Sequence, residues 1–151
     1  RCVFLPVNTM GKQKRSDMEM LQKTYNDPET QLISFPAGFC SRYIDGEIQD
    51  IEWKKSVIKQ CIESKRDIVP MYFEGRNSFF FYAVEWIRRK LGMKFNIGLI
   101  LLPRQMMKVA KGKHFKITVG SPIPYQTFDQ SKTDAQWAQW LRQECYKLKN
   151  K

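Results

Sequence analysis

The sequence predicts an α/β domain, a mixed sheet flanked by helices, on three observations. Short apolar runs alternate with stretches of helical periodicity along the whole chain. Those runs are punctuated by proline, glycine and asparagine–aspartate turns. A content of 42% hydrophobic and 13% aromatic residues in 151 is that of a chain that buries a core. By length, residues 1–151 form a single domain.

Cys2-Val3-Phe4-Leu5 is a buried-strand pattern halted by Pro6, with Val7-Asn8-Thr9 as its exit loop. The basic cluster Lys12, Lys14 and Arg15 follows. Ser16-Asp17-Met18-Glu19 then has the spacing of a capping box, which predicts a helix to about Tyr25 with Met18, Leu21 and Tyr25 on one face. Asn26-Asp27-Pro28 turns into Leu32-Ile33-Ser34-Phe35, read as a second buried strand. Pro36 ends its ladder, Gly38 permits a backbone angle other residues resist, and Ser41 and Arg42 arrive at the strand's exit. A hydroxyl, a guanidinium and free backbone N–H groups converging there suit an anion.

Residues 43–50 read as an irregular, turn-rich span. Helical periodicity over 51–65 turns Val57, Ile58, Cys61 and Ile62 inward and Lys54, Lys55 and Lys59 outward. Residues 67–73 form a strand with Pro70 inside it, which implies an edge or a bulge, and Glu74-Gly75-Arg76-Asn77-Ser78 is its polar exit loop. A third helix over 79–91 starts apolar, ends basic at Arg88, Arg89 and Lys90, and stops at Gly92. Residues 97–102 and 115–119 are further strands, and 120–124 a proline-stiffened loop. Thr133-Asp134-Ala135-Gln136 repeats the capping-box spacing and opens a terminal helix carrying Trp137, Trp140, Leu141 and Leu148.

An excess of 26 basic over 15 acidic residues leaves +11 and directs the chain toward anionic partners: nucleic acid, a bilayer surface, or an acidic substrate or carrier. Cys2, Cys40, Cys61 and Cys145 have no paired spacing, and His114, the single histidine, is remote from them, which argues against zinc and for reduced thiols. No run approaches the roughly 18 apolar residues of a membrane span. Arg1 opens on an apolar strand pattern without a methionine, which predicts that the chain is part of a larger protein.

Taken in order, these loops resemble the glycerolipid acyltransferase family, whose founding activity is 1-acylglycerol-3-phosphate O-acyltransferase. The likeness is to its hemolysin-like branch, which includes lyso-ornithine and related amino-acid-lipid O-acyltransferases. Phe35-Pro36-Ala37-Gly38 followed by Ser41-Arg42 is similar to that branch's form of the third block, Phe-Pro-Glu-Gly-Thr-Arg-Ser in the founding pattern. Ile68-Val69-Pro70-Met71, continued by Phe73-Glu74-Gly75-Arg76-Asn77-Ser78, resembles the fourth. Pro6-Val7-Asn8 resembles the second, and Val119-Gly120-Ser121-Pro122-Ile123 the Gly-x-Pro-Ile after the last core strand. Four blocks in register are fairly specific where any one is weak.

Two positions depart from the pattern. The first block, a histidine followed five residues later by aspartate, is absent, because five residues after His114 stands Val119. Ala37 replaces the glutamate of the founding third block, which argues against assuming a lysophosphatidate acceptor. The resemblance therefore implies a glycerol-3-phosphate-acyltransferase-like fold truncated at its N-terminus, and an enzyme whose 151-residue part is inactive alone. It implies acyl transfer from acyl carrier protein or acyl-CoA to a lysolipid hydroxyl, no metal or redox cofactor, and a cytoplasmic protein peripheral to an anionic membrane. Phe35, Pro36, Ala37, Gly38, Ser41, Arg42, Val69, Pro70, Arg76 and Asn77 are the implied acceptor-binding residues.

Each candidate has a plainer role. Arg42 could pair with a carboxylate such as Asp45, Arg76 and Asn77 could satisfy their own turn, and Glu74 could be solvated or replace the glutamate missing at 37. Phe79, Phe80, Phe81, Tyr82 and Trp86 at helical spacing read as core, or as an acyl groove or lipid anchor. Lys108, Lys111, Lys113 and Lys116, with Arg88–Lys90, form a solvated basic face or a surface for anionic lipid or an acidic carrier; His114 is structural or solvent-exposed. The alternative to an enzyme is a non-catalytic basic module on an anionic membrane or nucleic acid. No nucleic-acid partner is expected, as no helix-turn-helix, zinc-finger or RNA-binding signature is present.

Overall fold

The computed structural model describes residues 14–93 and 112–150. The strands expected at 2–5 and 97–102, and Lys12, Lys108 and Lys111, lie outside the described residues. The described residues form four α-helices, α1 (Arg15–Asn26), α2 (Ser56–Ser64), α3 (Phe79–Lys90) and α4 (Asp134–Lys147). Strands β1 (Arg42–Ile44) and β2 (Glu47–Gln49) make one sheet, β3 (Met71–Glu74) and β4 (Lys116–Val119) another. The class is mixed α and β as expected. Both pairs, however, are antiparallel and separate, where one mixed sheet was anticipated.

The core lies between α2 and α4. Ile58, Cys61, Trp137, Ala138 and Leu141 are buried together with Phe128, and Trp53, Val57, Ile68, Ile123, Tyr125 and Trp140 pack around them. Phe128, Trp137 and Trp140 meet edge to face, with Trp137 and Trp140 ring centroids 5.3 Å apart. The Trp137 indole N–H is satisfied by the Asp129 carbonyl at 3.0 Å, so its burial leaves no orphan donor. Ile62, expected to face inward, is 38% exposed.

The capping box of α4 forms as its spacing predicts: the Gln136 amide donates to Thr133 Oγ1, and the Thr133 amide to Gln136 Oε1. That of α1 does not. Lys14 takes the extended N-cap conformation, which leaves Ser16 already inside the helix, where its hydroxyl cannot cap. Helix α2 starts later than 51 because the preceding backbone is engaged by α4. Gln139 accepts from the Trp53 amide at 3.4 Å and donates to the Trp53 carbonyl at 3.0 Å.

Leu32-Ile33-Ser34-Phe35 is not a strand. A strand needs a ladder partner, and none runs beside it among the described residues; Ile33 and Phe35 are 71% and 82% exposed. The span expected to be irregular is instead a hairpin. Asp45 and Gly46 have φ of +49° and +86°, the two left-handed residues of a type I′ turn, whose twist matches the strands it joins. Arg42 therefore stands on a strand and not at the exit of one.

The strand expected over 67–73 is split. Ile68 bridges Ile123, and the ladder resumes only at Met71, which pairs with Val119. Pro70 falls in the gap, where its missing N–H costs no bond, and its carbonyl accepts from the Gly120 amide at 2.8 Å. A Cβ on residue 120 would lie 2.9 Å from Pro70 Cγ, so this approach requires glycine.

Two outcomes follow for stability. Leu141→Ala should lower unfolding free energy by about 2–5 kcal/mol and Thr133→Ala by about 1 kcal/mol in chemical denaturation. Burial pushes the Cys61 thiol up to about 12 and that of Cys145 to about 11, from an ordinary 9.0. The unfolded chain therefore loses these protons first, so folded-state stability should fall as pH rises from about 9 to 12. Iodoacetamide labelling at pH 8, followed by mass spectrometry, should modify both thiols only after unfolding.

Candidate functional site

The segment around Gly38 is a tight turn. The Gly38 amide donates to the Phe35 carbonyl at 2.9 Å, with Pro36 and Ala37 between them. Gly38 has φ of +68°, and a Cβ there would meet Lys54 Nζ at 3.2 Å. The Lys54 amide donates to the Pro36 carbonyl at 3.1 Å, which ties the turn to the segment before α2. Ala37 is buried; a glutamate there would lose its hydration.

From this turn the chain runs through Cys40 and Ser41 to Arg42, which lies against α3. Arg42 Nη1 donates to Glu85 Oε2 at 3.0 Å, and the same oxygen receives Arg88 Nε at 3.2 Å and Nη2 at 3.1 Å. All three side chains are largely withdrawn from solvent, Glu85 most of all at 4% exposure. The Phe39 ring covers the Arg42 guanidinium, 5.4 Å from its centroid. Arg42 thus pairs with Glu85, not with Asp45. Burial, partly offset by the Glu85 charge, holds the Arg42 pKa below its usual value.

Asn77 belongs to the same neighbourhood. Its side chain hydrogen-bonds the Cys40 thiol, whose pKa burial raises, and its amide donates to the Tyr82 hydroxyl at 3.1 Å. Ser78 caps α3, accepting from the Phe81 amide at 3.2 Å. Arg76 points elsewhere: with Tyr72, Glu74, Gly75 and Lys149 it lines a hollow to which Arg42 does not contribute. The Phe73 ring fills the space a Gly75 side chain would need, so that glycine admits a ring rather than a ligand. Phe35 and Val69 are exposed, and Pro70 is buried.

The implied residues thus fall into two groups, Arg42 with Asn77 through Cys40, and Arg76 apart from them. Glu85 escaped sequence reading, and Lys54, read as an outward residue of the helix over 51–65, lies before α2 and against the Gly38 turn. Glu85 sits in an aromatic and basic helix where a carboxylate reads as solvated; its i, i+3 spacing to Arg88 was the available signal. The aromatic stripe divides: Phe81 and Tyr82 are buried, while Phe79, Phe80 and Trp86 are exposed. His114 is exposed. Among the described residues no cluster could hold a metal, and no helix is long and apolar enough to cross a membrane.

The chain belongs to the acyltransferase family, which matches residues 1–151, and it is of the lysolipid acyltransferase type, as the four blocks imply. It is 47% identical over 95% of its length to a lyso-glycine lipid O-acyltransferase of Phocaeicola vulgatus. It is 46% identical, again over 95%, to a lyso-glycine lipid O-acyltransferase of Bacteroides thetaiotaomicron. The chain covers 51% and 52% of those two proteins, so it spans about half the length of the curated relatives it matches. No solved structure matches it.

Proposed function

We propose that this chain is part of a lysolipid O-acyltransferase that moves an acyl chain from a thioester, acyl carrier protein or acyl-CoA, to the hydroxyl of a lyso-glycine lipid or a similar amino-acid lipid. The observation that carries the reading is the 47% identity along 95% of the chain to a protein of that name. The geometry supports it through Arg42, a guanidinium set beside a tight turn and a half-buried cysteine, suited to the anionic end of an acceptor.

In the proposed reaction the acceptor hydroxyl oxygen attacks the thioester carbonyl. The new C–O bond forms as the C–S bond breaks, and the hydroxyl proton passes through a general base to the departing thiol. The His–Asp pair that the resemblance implies as base and orienter is not among these 151 residues, and we place it in sequence outside them. Phe35, Pro36, Ala37, Gly38, Ser41, Arg42 and Asn77 would line the acceptor site with Val69 and Pro70 behind them, supplying proximity and orientation, while Arg76, which lines a separate hollow, stands outside it. No redox group or metal is needed. Action from the cytoplasmic side, peripheral to an anionic bilayer, is supported by the charge of +11 and by the exposed Phe79, Phe80 and Trp86 beside Arg89 and Lys90.

The isolated 151 residues should transfer no radiolabelled acyl group to any lysolipid; measurable transfer would refute the placement of the base. In the full chain as its gene encodes it, Arg42→Ala should raise the acceptor KM about tenfold and leave the donor KM unmoved in steady-state kinetics. An unchanged acceptor KM would remove Arg42 from the site.

A further inference from the structure

Helix α3 buries an unusual face. Phe81 and Tyr82 go inward, and so does the carboxylate of Glu85, while Phe79, Phe80, Trp86, Ile87 and Leu91 stay in solvent. Withdrawing a carboxylate from water is costly unless its partners compensate it. Here the compensation is lopsided. One oxygen, Oε2, takes three N–H donors from Arg42 and Arg88, and Oε1 takes none. Arg42 Nε is likewise buried without a partner among the described residues. An ion pair shaped for stability alone would use the parallel, two-oxygen fork. This one engages Arg42 through a single nitrogen, with the Phe39 ring over the guanidinium and Nε left without a partner among the described residues.

The charges bear on the same point. Arg42 and Arg88 with Glu85 leave one positive charge, Arg89 also acts on Arg42 electrostatically and makes it two, and without Glu85 it would be three. We infer that Glu85 is a positioning residue: it fixes Arg42 in place through one nitrogen and, by cancelling one of three arginine charges, weakens the site's pull on a doubly charged phosphate relative to a singly charged carboxylate. The inference rests on the proposed acceptor role of Arg42 and adds the residue that aims it and sets its selectivity. A preset guanidinium avoids the ordering cost a free arginine bears on binding. Ala37, where a glutamate would have brought a further negative charge to the adjoining turn, leaves Glu85 as the carboxylate against Arg42.

The test uses the full chain as encoded by its gene, with one lysolipid ending in a carboxylate and one ending in a phosphate. Glu85→Gln should raise KM for the carboxylate acceptor about tenfold, change kcat less than about twofold, leave the donor KM alone, and shift kcat/KM toward the phosphate acceptor. Because Glu85 acts through Arg42, the double variant R42A/E85Q should show the KM of R42A alone. Additive effects, a fall in kcat with KM unchanged, or an equal rise in donor KM would overturn the inference and leave the role of Arg42 standing. Should E85Q fail to fold, Glu85→Asp, which keeps the charge and shortens the arm, tests the positioning role by itself: KM for the carboxylate acceptor should rise while the preference between the two acceptors stays put, and an unchanged KM would overturn it. If the chain transfers no acyl group, the proposed function fails, and the same variants are scored by direct binding of the carboxylate-ended lysolipid to the protein. An E85Q dissociation constant equal to wild type then overturns the inference by itself.

Discussion

The grip of α4 on the segment between β2 and α2 is the constraint from which the rest of the structure follows. Arg142 Nη2 donates to Gln49 Oε1 at 2.8 Å and to the Asp50 carbonyl at 2.6 Å. The Asp50 amide donates to the Tyr146 hydroxyl at 2.9 Å, and Gln139 brackets Trp53 on both backbone groups. The backbone of Asp50 and Trp53 is thereby satisfied by side chains of α4 and not by a strand ladder. They fix the end of β2, the I′ turn passes that register to β1, and β1 presents Arg42 to α3. The same segment holds the Pro36 carbonyl through Lys54. Helix α4 thus bears, through the segment before α2, on where Arg42 and the turn at Pro36 sit.

Beneath that polar grip lies the apolar contact that makes it durable. The Trp137, Trp140 and Phe128 rings fill the gap between α2 and α4 in the offset arrangements aromatic quadrupoles favour. At the other end of α2, Arg66 binds the carbonyls of Thr30 and Asp27 and so tethers the chain after α1 to the end of that helix. The two tethers flank the unpaired run at 32–35, which explains how the turn after it can be ordered while the run itself lacks a ladder.

Much of this was legible in the residues. Helix α4 announced itself by its capping box and tryptophan spacing, α3 by its apolar start, basic end and Gly92, and the family by four blocks in register. Where reading failed, the cause was physical. Leu32-Ile33-Ser34-Phe35 has the composition of a strand, but composition cannot supply a neighbour. Asp45-Gly46 was a readable I′ signal, hidden by the shortness of its strands. Glu85 was invisible because the burial of an ion pair depends on a partner 43 residues away in sequence. The carboxylate matters chemically only where the fold brings Arg42 to it.

The sheet of β3 and β4 carries a consequence of its own. Met71 and Phe73 pair with Val119 and Ile117, so these four side chains share one face, and all four are exposed; Tyr72 turns the other way, toward Tyr146. Bare apolar area is penalised in water by roughly 25 cal/mol per Å². That penalty would be relieved wherever an oily phase or another protein surface met the strip. For the proposed acyl transfer to a lysolipid, residence at such a boundary would make the search for a nearly insoluble acceptor two-dimensional.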